Sequence, residues 1–193
     1  MINSGIDWAI KALDSLDTED ALTPIERLRL SFRYKIQQWI LPAVSGLMDR
    51  QVGRKQLHLI SAEEIFEMGI CTYSLIAKGM ETIQATRMSV AINPPAARHC
   101  PQCRLHHEEE ICAWAWKDFW LAVVPRVLLA ADQPKPLQSL VAFLKEAKIN
   151  NFWKTCKMLT LFNFEQMEVL KVEINVKDHV ASSVWNFYEQ GVM

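Results

Sequence analysis

Apolar residues recur along most of the chain at intervals of three and four, the spacing of one face of an α-helix. Ile25, Leu28 and Phe32 form the first such stripe. Ahead of it, Thr23-Pro24-Ile25-Glu26 combines an N-cap hydroxyl, a proline at the first helical position and an acid at the third. This pattern predicts an amphipathic helix to about Tyr34. In 36–48 (IQQWILPAVSGLM), Trp39, Ile40, Val44 and Leu47 share a face, and Pro42 marks a kink or a new start. Ser61-Ala62-Glu63-Glu64 is a second capping box; Ile65, Phe66 and Met68 lie behind it, and Gly69 is the expected C-cap. Thr72 to Ser89 has no breaker except Gly79, which predicts one long helix.

The pattern stops at Ala91 to Pro101 (AINPPAARHCP), where three prolines predict a boundary. It resumes at Glu108-Glu109-Glu110, acids suited to the positive end of a helix. Ile111 to Leu129 follows, intensely apolar, with Pro125 as an expected kink. Within it Trp116 and Trp120 share a face that fills a core, whereas Trp114 points elsewhere; these three aromatics are the candidate interaction residues. Asp118 on this helix is expected to be a buried, hydrogen-bonding acid. Asp132 to Pro136 reads as a turn, and Leu137 to Ala147 and Asn150 to Phe162 as helices. Asp178 is the expected cap of a last helix holding Val180, Val184, Trp185 and Tyr188. Leu170, Val172, Ile174 and Val176 alternate, which suggests one short strand without a visible partner. The expected fold is all-α: a helical half over 1–90, a connector over 91–107 and an aromatic-rich helical half over 108–193, packed through the helix at 111–129.

Composition narrows the function classes. The 193 residues are 50% apolar and 22% charged, an ordinary globular balance. A net charge of -1 supplies no basic field for nucleic acid and no attraction to a membrane surface. Arg50, Arg54 and Lys55 form a patch too small for either and read as a solvated loop. The first twenty residues lack a cationic start followed by an apolar run, so no signal peptide is expected. An intracellular location, cytoplasmic or nuclear, follows as the expectation, and in that reducing setting the five cysteines are not expected to form structural disulfides.

Cys100-Pro-Gln-Cys103 is the one stretch whose residue types ask for chemistry. Two thiols separated by two residues can aim at one point, half of a tetrahedral zinc site. Cys112 and Cys156 are the candidates to complete it, with His99, His106 and His107 as alternatives; Cys71 lies in the other half and is the weakest candidate. One structural zinc is therefore one reading. The other is a set of free thiols, cysteine acting as a small hydrophobe. It weighs more on sequence alone, because zinc modules ordinarily carry a second close pair and Trp153 stands where its first cysteine would be. No catalytic constellation emerges. His107-Glu108 lacks the second histidine of a metalloprotease helix, since position 111 is Ile. Ser182, Ser183 and His179 lack an elbow motif. A thiol- or metal-dependent enzyme at the Cys100/Cys103 loop remains the competing class, and it requires an open cleft beside a reactive thiol.

Two blocks carry a family resemblance. LTPIERLRLSFRYKIQQWILPAVSGLMDR, then ISAEEIFEMGICTYSLIAKGM, resemble the helical region after the core of fungal BTB/POZ-like proteins. SFRYKI is similar to an ARKY-like segment, WILPA (Trp39 to Ala43) to a WLLPA-like motif, and ISAEEIFEMG to an LxxEEAxxLG-like helix. Trp8 to Leu16 fits the helix that closes the BTB fold, and the C-x2-C segment, CAWAWKDFW and WKTCK are similar to the C-terminal half. The resemblance runs over most of the chain and is strongest over 22–80. It implies a helical, non-enzymatic, adaptor-like module with a protein partner. The chain starts almost where the strand-rich core would end, so the self-association and cullin recruitment tied to that core are not carried over. A monomer or weak dimer is expected.

Overall fold

The computed structural model describes residues 12, 22–52, 60–106, 108–130 and 134–191. The closing helix expected at Trp8 to Leu16 and the basic patch at 50–55 lie largely outside the described residues or side chains, as does His107. Among the described residues the fold is all-α, without strands. In chain order the α-helices are α1 (Pro24–Tyr34), α2 (Ile40–Val52), α3 (Ala62–Met68), α4 (Ile70–Ile92), α5 (Pro101–Leu105), α6 (Glu109–Leu128), α7 (Leu137–Glu146), α8 (Lys154–Glu165) and α9 (Val172–Glu189). Short 3-10 turns at Gln37–Trp39 and Glu168–Lys171 lead into α2 and α9. None of these helices is long and apolar enough to cross a membrane.

The helix starts follow their local chemistry. Thr23 Oγ1 accepts from the backbone N–H of Glu26, whose carboxylate accepts from the N–H of Thr23 at 2.9 Å. Ser61 and Glu64 repeat this reciprocal box at α3. Pro42 sits within the first turn of α2, where its missing N–H costs no helical bond. Gly69, at φ 80°, separates α3 from α4; a side chain there would strain the backbone.

Two apolar cores result. In the first, Leu28 of α1, Val44 and Leu47 of α2 and Ile76 and Ile83 of α4 surround Val180 and Val184 of α9. In the second, Trp116, Trp120 and Leu128 of α6 pack with Leu140 and Leu144 of α7 and Leu161 and Phe164 of α8. The long α4 serves both, since its last turn places Val90 and Ala91 in the second core. There α4 lies along α6, and Trp120 Nε1 donates to the Val90 carbonyl at 3.0 Å.

Three expectations fail here. The alternating run from Leu170 to Val176 is the 3-10 turn and first turns of α9, not a strand. The stripe that decides is helical: Glu173, Val180 and Val184 are buried, while Ile174 is exposed. Glu173 can be buried because it pairs with the buried Arg87 of α4. Asp178 consequently lies inside α9 and does not cap it. Asp118 is exposed rather than buried, on the solvent side of α6.

Candidate metal centre

The connector between α4 and α6 is held on three sides. Trp116 Nε1 donates to the Pro95 carbonyl at 2.7 Å, and the Arg98 N–H donates to Thr160 Oγ1 at 2.8 Å. The third tie is Cys100, whose N–H donates to Cys156 Sγ at 3.2 Å. Cys156 and Thr160 stand four residues apart on one face of α8, so a single helix face receives the N–H groups of Arg98 and Cys100 from the connector. Asn151, at φ 55°, turns the chain immediately before α8 and so sets the approach of this face.

From this frame the side chains converge. His99, Cys103, Cys112 and Cys156 offer ligand atoms that all lie within 4.8 Å of one another. Cys103 Sγ stands 3.7 Å from His99 Nδ1. Ligands about 2.0–2.3 Å from a tetrahedral zinc are themselves separated by roughly 3.5–3.8 Å, so this pair already has the spacing of a coordinated edge. Cys103, Cys112 and Cys156 are wholly buried and His99 half-buried. Cys112 reaches the group because α6 starts where the acids indicated: the Glu108 N–H donates to the Cys103 carbonyl, and the Cys112 N–H to the Glu108 carbonyl.

Cys100, also wholly buried, adjoins this group. It caps α5, and its Sγ accepts from the Cys103 N–H at 3.5 Å. That N–H, with the N–H of Gln102 and contact with the Cys156 thiol, holds the Cys100 thiol below its ordinary value despite burial. The other three thiols are pushed the opposite way. Burial raises Cys103, helped by the neighbouring Cys112; burial raises Cys112, against an opposing N–H from Trp153. Cys156 is pushed up to about 11, chiefly by burial. A closed pocket of this kind keeps its thiols protonated on its own, and a dication is what would make thiolates favourable there. N–H groups point at the sulfurs of Cys100, Cys112 and Cys156 and would support thiolates there.

The remaining expected residues are distributed differently. His106 stacks on Trp153 at 6.1 Å, outside the group of converging ligand atoms. Trp153 fills a structural place beside the group: its ring N–H donates to Glu108 at 2.6 Å, and its backbone N–H faces Cys112. In the converging group Cys112 and Cys156, drawn from two separate helices, stand in place of a second close pair, and His99 rather than Cys100 accompanies Cys103. Cys71 is half-buried on α4 and takes no part. Trp116 and Trp120 are core residues: Trp116 stacks on Phe152, and Trp120 meets Phe164 edge to face. Of the three aromatics only Trp114, 76% exposed, is open to a partner. Sequence reasoning missed the buried Arg87–Glu173 pair. Its signal was present, since Arg87 falls in the stripe Ile76, Met80, Ile83, Val90 that α4 buries.

No protein-family model matches the chain, and neither a curated protein nor a solved structure is similar enough to match it.

Proposed function

We propose that this chain is a non-enzymatic, helical protein–protein interaction module whose second core is fastened by one structural zinc ion. The observation that carries the reading is the convergence of His99, Cys103, Cys112 and Cys156 within 4.8 Å, the three cysteines wholly buried and His99 half-buried. Three thiolates and an imidazole are a ligand set zinc accepts, and closure by four protein ligands characterises structural sites; catalytic ones keep a position open. The ligands come from the connector, α5, α6 and α8, so one ion ties the elements that the chain itself links only through loops.

The geometry favours this over a thiol or metal enzyme at the same loop. Cys100 and Cys103 are both wholly buried. A cavity of about 230 Å³ lies elsewhere, lined by Gln37, Ile40, Leu41, Asp178, Ala181, Ser182 and Trp185, with no cysteine or histidine. The partner-binding side of the proposal rests on α6, where Ile111 and Trp114 are exposed three residues apart on one face. An exposed tryptophan is the residue type most enriched at interaction hot spots. The resemblance to the helical region after the BTB core points to the same class, an adaptor rather than a catalyst.

Thermal melting under reducing conditions, with and without a strong chelator, tests the fastening role. Chelation should lower the midpoint by many degrees. An unchanged midpoint would remove the structural ion from the account.

A further inference from the structure

A fifth side chain, the buried Cys100, adjoins the four converging donors that a tetrahedral ion needs. His99, Cys103, Cys112 and Cys156 form the converging set, yet Cys100 is the residue through which the connector meets α8, its N–H on Cys156 Sγ at 3.2 Å. The Cys100 thiol also touches the Cys156 thiol and receives the Cys103 N–H at 3.5 Å. As a thiol capping α5, Cys100 offers the Cys103 N–H an uncharged sulfur, a poor acceptor; as a metal-bound thiolate it would be a good one. His99, by contrast, is half-buried and is the ligand nearest to solvent, the other three being wholly buried.

We infer that the ion is held by either of two sets that share Cys103, Cys112 and Cys156, with His99 and Cys100 exchanging at the fourth position. This rests on the structural-metal reading above. Exchange swaps a neutral imidazole for a thiolate and so adds one negative charge to the centre, which the Cys103 N–H, 3.5 Å from Cys100 Sγ, is placed to offset. The fourth position is thereby the adjustable one: His99 can leave toward solvent without releasing the ion.

Cobalt(II) in place of zinc reads the sets directly, because its absorption distinguishes three-sulfur, one-nitrogen from four-sulfur tetrahedral sites. The full chain, stripped and reconstituted under reducing conditions, is compared with His99→Gln, Cys100→Ser and the double variant. His99→Gln should still fold and bind one cobalt with affinity within about tenfold of the parent. Its bands should shift to the four-sulfur pattern. Cys100→Ser should keep the three-sulfur, one-nitrogen pattern. The double variant should lose more than the roughly 10- to 100-fold that removal of an outer-shell partner costs. If His99→Gln binds as poorly as the double variant, or does not fold, exchange is overturned while the zinc reading stands. The same holds if its spectrum is unchanged. If the parent gives no tetrahedral cobalt spectrum at all, both readings fall together.

Discussion

Gly79 lies where α4 crosses α9 and α2, and a Cβ added there would meet Val180 Cγ2 at 2.7 Å and Met48 Cε at 2.9 Å. Met48 can swing aside, but Val180 is β-branched and stiff. Alanine is the better helix former by about 1 kcal/mol, yet overpacking of a closed core costs about 1–3 kcal/mol. We therefore expect Gly79→Ala to lower stability in urea by about 1 kcal/mol; a more stable variant would show that the helices separate freely at this point. Arg87 presents a different constraint. Its Nε pairs with Glu173 inside the molecule, while its Nη1 finds no partner among the described residues. Glu173→Ala should cost about 3–5 kcal/mol because it leaves a guanidinium buried alone, whereas Arg87→Met with Glu173→Leu should recover most of the loss. Equal destabilisation by the single and double changes would contradict that account.

Among the elements, α1 is the one whose start is set most fully by its own residues. Thr23→Ala removes one half of the capping box and should cost about 1 kcal/mol at neutral pH. The Glu26 carboxyl is held below its ordinary value by the Thr23 side chain and N–H. Its stabilisation is therefore present above the unfolded value and is lost as pH falls through the folded one. The deficit of Thr23→Ala should shrink on acidification through the Glu26 titration, because the parent then loses the bond from the Thr23 hydroxyl to the Glu26 carboxylate as well. A pH-independent deficit would place the cost in the Thr23 hydroxyl alone. Both capping boxes were legible in the sequence because each is a contact over three residues. The α9 start was not, because it depends on a partner on α4, 86 residues away, that lets Glu173 be buried. The C-x2-C turn was legible for the same local reason as the boxes. Cys156 was only a candidate, since its link to Cys100 spans 56 residues and leaves no periodic trace. Trp153 looked like a missing ligand; it supplies an N–H to Cys112 instead, a role that belongs to the backbone and has no residue signature.

At the scale of the molecule, α4 and α6 join the two cores, and the connector between them carries the centre. The raised thiols fix the sign of its pH response. Cys156, moved from 9.0 to about 11, favours the metal-free fold fully below pH 9 and loses that contribution as pH rises toward 11. Cys103 and Cys112 act in the same sense, and Cys100 in the opposite one. The stripped protein should accordingly lose stability from about pH 9 upward, followed by circular dichroism, while the zinc-loaded protein should not. Parallel profiles for the two forms would mean that the thiols do not bind the ion.

On the proposed reading, three wholly buried cysteines and the half-buried His99, from the connector, α5, α6 and α8, hold one ion. The most direct test of this reading is the metal content of the purified full chain, produced with zinc in the medium, passed over a desalting column and measured by mass spectrometry of the elements. About one zinc per chain is expected, falling to near zero in Cys112→Ser/Cys156→Ser, which removes two of the three ligands shared by both sets. A parent chain that carries no zinc, or a double variant that carries as much as the parent, would contradict it.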